Sequence, residues 1–108
     1  MKSWIEMQKP IDGTFNETYA YVVDGHRVSP FFSSRTVCEA FRSKYEDLSE
    51  RLFSAKARLA EHEKNDCKRG IIFYGQYYIP KIEDETIRLF QDARNGVFET
   101  KVLKSRIN

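Results

Sequence analysis

Lys68-Arg69-Gly70 runs straight into a stretch crowded with rings, Ile71 to Ile79, and this pairing of charge with aromatics is the chain's clearest chemical signal. A basic turn feeding an aromatic strand is one way a sheet surface offers a stacking platform to a base or a nucleotide. On a strand, Tyr74 and Tyr78 share one face, while Phe73, Tyr77 and Ile79 share the other and fill a core. Lys68, Arg69, Tyr74 and Tyr78 are therefore the candidate residues for a protein partner or a nucleotide-like ligand. A second basic set, Lys44, Arg51 and Arg58, recurs every seven residues along one helix edge. With Lys101, Lys104 and Arg106 in the tail it could meet phosphates, and binding of that kind falls steeply with salt.

Catalysis would need a nucleophile beside a base, paired carboxylates in a cleft, or metal ligands at proper spacing. The two histidines are far apart: His26 follows a turn signal and His62 lies at the end of a helical pattern. His62 and Cys67 lack the second pair that a zinc site requires. Glu83-Asp84-Glu85 reads as a helix start, where acids interact favourably with the dipole. No glycine-rich phosphate loop occurs, and neither an enzyme, a metal nor a cofactor is expected.

Composition narrows the class further. At 108 residues the chain is read as one domain, 1–108, with 41% hydrophobic and 31% charged residues. A net charge of +2 is too small to imply nucleic-acid binding without a local arrangement. No apolar run approaches the roughly 20 residues that cross a bilayer, and Met1-Lys2-Ser3-Trp4 lacks the apolar block of a signal peptide. A reduced, cytoplasmic protein is expected, with Cys38 and Cys67 unpaired.

The elements that must position these residues follow from period and punctuation. Trp4, Ile5 and Met7 suggest an edge strand before Pro10 and Asp12-Gly13. Residues 15–31 read as a hairpin turning at Asp24-Gly25, with His26 to Phe31 returning. A long amphipathic helix spans 33–65, because Cys38, Phe41, Tyr45, Leu48, Leu52, Ala55, Leu59 and His62 recur every three or four residues. Thr36 with Glu39, or Ser33, caps its start. A strand at 71–79 ends at Pro80, a short helix follows at 84–94 with Ile87, Leu89 and Phe90 inward, and 97–103 alternates as a last strand. The expected fold is α+β, with a mostly antiparallel sheet of about four strands in (β)ββαβαβ order.

About 30 residues of helix extend about 45 Å, beyond the roughly 35 Å diameter of a compact domain this size. The far half, with Leu52, Phe53, Ala57, Leu59 and Ala60, is therefore expected to overshoot and to be covered by a second copy. Its margins argue against a simple coiled coil, since Arg51 would face Lys56 of a parallel partner.

Tyr19 to Val28, Phe31-Phe32 and a capped helix with Ala40 and Tyr45 together resemble the hairpin-plus-helix outline of AP2-like and integrase arm-type DNA-binding domains. Lys68-Arg69-Gly70 and the following aromatics likewise resemble the basic-Gly-aromatic strand of RNA-recognition domains, except that Ile71 and Ile72 stand where rings should stack. The first likeness covers less than a third of the chain and is a shared motif, with no family assigned. The expected function is that of a non-enzymatic, oligomeric interaction module, of the phage-type accessory or inhibitor kind, that sequesters a protein or nucleotide-like partner. The alternative is a small nucleic-acid-binding regulator that uses the basic helix edge.

Overall fold

The computed structural model describes residues 2–9 and 17–105; Pro10, the Asp12-Gly13 turn signal, the hairpin start at Phe15 and the tail residue Arg106 lie outside them. Among the described residues the chain is α+β, with a three-stranded antiparallel sheet of β1 (Ser3–Gln8), β2 (Thr18–Val23) and β3 (His26–Arg27). Four helices follow: α1 (Arg35–Lys64), α2 (Lys68–Ile71), α3 (Ile79–Arg94) and α4 (Val97–Ser105), with Ile72–Tyr78 wound as a π-helix between α2 and α3. The chain divides into two compact units, Met1–Lys44 with Phe90–Asn108, and Tyr45–Leu89.

In the first unit the expected edge strand and hairpin are both present. β1 pairs antiparallel with β2, Trp4 opposite Val22 and Ile5 opposite Tyr21. Asp24 and Gly25 turn the hairpin at φ +50° and +83°, the left-handed angles that suit Asp and Gly in a tight turn. β3 is short because the chain bulges after Arg27. Val28 and Ser29 both donate to the Tyr21 carbonyl at 2.8 and 3.4 Å, and the Ser29 hydroxyl accepts the Tyr21 amide at 2.8 Å. Phe32 then rejoins the ladder opposite Tyr19. Behind the sheet lies a cluster of rings centred on Phe41, which is fully buried. Its ring meets Tyr21 at 6.4 Å, Phe32 at 5.8 Å, Phe90 at 5.9 Å and Phe98 at 5.8 Å. Those separations lie in the range where edge-to-face contact adds to simple burial.

α1 starts one residue after Ser34, whose hydroxyl accepts the Val37 amide, so Ser34 is the cap and not Ser33 or Thr36. It ends where Asp66 turns left-handed at φ +54° and Cys67 donates back to the His62 carbonyl at 2.9 Å. All eight residues of the expected stripe are buried or half-buried.

The expected strands at 71–79 and 97–103 are helical instead. In the second unit the chain after Asp66 returns along the apolar face of α1, so the far half of that face is covered by the protein's own residues. Gly75 lies against Leu59, and Tyr74 stacks on His62 at 5.5 Å. β-propensity yields here because Ile71, Tyr74, Tyr78, Ile82, Leu89 and Ala93 also recur at near-helical spacing, and the face of α1 rewards that pattern. The π-helical turn precedes Pro80, which has no amide to donate into an ordinary helical ladder. The helix expected at 84–94 therefore begins at Ile79, and Glu83, Asp84 and Glu85 do not sit at a helix start. Leu89 is buried and Phe90 half-buried as expected, but Ile87 is exposed. In α4, Phe98 and Val102 form an i, i+4 pair that turns inward, a contact unavailable to the alternating strand. Gly96, at φ +78°, and the Thr100 side chain, which donates to the Gly96 carbonyl at 2.9 Å, set its start.

The two glycines of the returning helix differ sharply. A methyl group at Gly70 would overlap the His62 ring, whereas at Gly75 it would meet Leu59 at an ordinary 3.5 Å. Gly70→Ala is expected to destabilise the fold by about 1–3 kcal/mol through overpacking. Gly75→Ala is expected to be neutral or to stabilise by about 0.5–1 kcal/mol through helix propensity. Urea denaturation of both, with His62→Ala/Gly70→Ala as the relieving double variant, checks the contrast.

Candidate functional site

Tyr74 and Tyr78 lie one turn apart in the π-helical stretch, and both are half-buried. With Phe73 they form a three-ring wall. Phe73 lies nearly parallel to Tyr78, with centroids 5.6 Å apart at 11°, and Tyr74 presents its edge to both, at 4.9 and 5.8 Å. The opposite wall is α1, which contributes Asp47, Glu50, Arg51, Ser54 and Arg58 above the small floor of Ala55. The groove between them encloses about 620 Å³, a size ordinary for a ligand or a short peptide segment.

The charges in this groove divide into committed and free. Arg51 donates to Glu85 Oε2 at 3.2 Å and places Nε 3.2 Å from Asp47 Oδ2. The second contact is an ion pair without hydrogen-bond geometry, and it leaves the Nε–H buried and unsatisfied. Arg58 and Glu50 have no ion-pair partner among the described residues, and the hydroxyls of Tyr74 and Tyr78 have no hydrogen-bond partner among them. The groove thus offers three rings, one free cation, one free anion and two free hydroxyls.

Comparison with known protein families, curated proteins and solved structures finds no match. Function must be argued from the geometry alone.

The structure sorts the sequence candidates. It brings Tyr74, Tyr78, Arg51 and Arg58 to one groove, joining two residues of each candidate set. Lys68 and Arg69 are exposed on α2 and do not line it. Lys44 is exposed in the first unit. Arg51 is neutralised by Asp47 and Glu85, so Lys44, Arg51 and Arg58 do not make an unbroken basic edge. Among the residues expected to bind a second copy, Leu52 and Leu59 are half-buried, while Phe53 is 77% exposed and Ala57 and Ala60 are also exposed. Phe53 thus stands off the buried stripe rather than widening it. Phe73, expected in a core, is 51% exposed and lines the groove, and Tyr77 is 68% exposed. Sequence reasoning missed Phe73, whose signal was helical phase in a segment read as a strand, and Glu50, which lies in the helix that was read as such and carries no signal of its own.

Among the described residues no three His, Cys, Asp or Glu side chains group as metal ligands, and no helix is long and apolar enough to cross a membrane. Both cysteines are free thiols, Cys38 buried and Cys67 half-exposed. Burial pushes the Cys38 thiol from its ordinary value near 9 up to about 11, against the smaller opposing pull of Arg35. Because the folded state holds this proton more tightly, the associated stability is complete below about pH 9 and is lost as the pH climbs towards 11. At pH 8 a thiol reagent is expected to label Cys67 and to spare Cys38 until the protein is unfolded. Base titration of Cys38→Ala should show a flatter loss of stability above pH 9 than the parent.

Proposed function

We propose that the protein is a non-enzymatic interaction module, an accessory or inhibitor that covers its partner by means of the groove between α1 and the π-helical stretch. The observation that carries this reading is the three-ring wall of Phe73, Tyr74 and Tyr78 facing a free Arg58 and a free Glu50. Exposed rings supply large contact area at small entropic cost, and an unpaired guanidinium beside them fixes orientation. The partner this chemistry favours presents a flat or aromatic group next to a carboxylate or phosphate. A protein segment fits that description, and so does a nucleotide-like ligand.

Capture from native cell extract tests the reading when wild type is compared with Arg58→Glu and Phe73→Ala. Both residues are exposed, so both variants should fold. A partner retained by wild type and lost by both is the expected result, with affinity reduced about tenfold or more. Equal capture by all three would overturn it. A gel-shift series at two salt concentrations addresses the nucleic-acid alternative, which is abandoned if nothing binds at low salt.

Self-association belongs to the same proposal and rests on Phe53 with Ala57 and Ala60, which are exposed together away from the stripe. A ring that packs on alanines of a second copy would remove apolar area worth about 1.5–3 kcal/mol per copy. Light scattering at tens of micromolar is expected to give more than the monomer mass for wild type, and the monomer mass for Phe53→Glu. A monomer mass for both would remove the oligomer from the proposal.

A further inference from the structure

The bulge after β3 leaves a recess of about 220 Å³ in the first unit, between Arg27, Val28, Ser29 and Pro30 on one side and Phe90 and Arg94 on the other. Two of its six lining residues are arginines, and none is acidic. Arg27 is not loose: its guanidinium lies 4.3 Å from the centre of the Phe31 ring, a cation–π contact that holds the charge in place. Arg94 sits in the last turn of α3, a position favoured by the helix dipole. Neither arginine has an ion-pair partner among the described residues.

The described carboxylates of the same unit are engaged elsewhere or stand apart. Glu17 accepts from Tyr19, Asp24 from the Lys2 amide, Glu39 from Arg35 and Glu99 from Ser33, while Asp92 pairs with Lys101. Glu6 lies on β1, separated from β3 by β2. Two like charges on the rim of one recess repel unless an anion is shared between them. The floor is fixed as well: the Ser29 hydroxyl accepts the Tyr21 amide and donates to the Pro30 carbonyl at 2.8 Å, so the recess is part of the sheet and keeps its shape.

We propose that this recess binds a single phosphate group, free or at the end of a small monoester, held between the guanidinium groups of Arg27 and Arg94. Charge selects the ligand. A phosphate monoester carries close to two negative charges at neutral pH and balances two arginines, whereas a carboxylate balances one. Side-chain chemistry agrees, because guanidinium forks match phosphate oxygens in pairs. Size favours a small group, since the recess falls below the roughly 300–1,000 Å³ of sites that enclose whole drug-sized ligands. This site is independent of the groove proposed above, and either can fail without the other.

Titration followed by ¹H–¹⁵N NMR tests it, with signals read at the Arg27 and Arg94 side chains and the Ser29 amide. The probes are inorganic phosphate and glycerol 2-phosphate, each against sodium chloride at equal ionic strength. Saturable shifts confined to these residues are expected, with affinity in the millimolar range or tighter. Arg27→Ala and Arg94→Ala should each weaken binding roughly ten- to a hundredfold, the loss of a charge-assisted contact. Arg27→Lys/Arg94→Lys should retain part of it and shows whether charge or the fork matters more. Tighter binding of the ester assigns the site to a phosphorylated metabolite, and tighter binding of inorganic phosphate assigns it to the free ion. Shifts that stay linear to about 50 mM, or a double alanine variant that titrates like wild type, would overturn the proposal.

Discussion

One row of apolar positions along α1 must be hidden from water, and most of the fold can be understood as the means of hiding it. Val37, Cys38, Phe41, Leu48 and Ala55 are buried, and Tyr45, Leu52, Leu59 and His62 are half-buried. In a folded protein most of a helix's stability comes from cover of its apolar face rather than from propensity. Each unit covers its own part of the row by a different device. The first uses rings gathered from the sheet, the end of α3 and α4, all touching Phe41 or its neighbours. The second uses the chain's own return as a helix, fitted closely at Gly70, where a methyl group would overlap the His62 ring.

That division explains what the sequence disclosed and what it hid. The α1 stripe, the Asp24-Gly25 hairpin and the β1 edge strand were legible because each is a local pattern with a local cause. The segment 71–79 was not. Isoleucines and tyrosines favour strands in isolation, and only the presence of an uncovered helix face elsewhere makes a helix the better outcome. Tyr74 and Tyr78 were nevertheless placed on one face correctly, because a spacing of four returns to the same side in both strand and helix. Phe73 and Tyr77 were misplaced because alternation and helical period disagree about the rest of the stretch. In 97–103 alternation suggested a strand, whereas Phe98 and Val102, four residues apart, turn inward from a helix.

The candidate groove was half legible for a related reason. Its aromatic wall could be read from composition, but its electrostatics could not. Arg51 looked like one member of a basic row until Glu85, far along the chain, came beside it. Once that pair forms, Arg58 remains as the groove's unclaimed cation, and a row of three becomes a point charge next to a set of rings. Selectivity for a shaped partner follows more naturally from such a point than from a stripe.

The π-helical turn at Ile72–Tyr78 has one more consequence. Each loop of such a turn accommodates an extra residue compared with an ordinary helical turn, so it acts as slack in an otherwise rigid screw thread. The rings on the groove and the buried row of Ile79, Ile82 and Leu89 can take up different phases about the same axis. The ring wall and the packing row are thereby uncoupled: changes that rotate or resize the ring-bearing stretch need not re-register the residues that keep the helix seated.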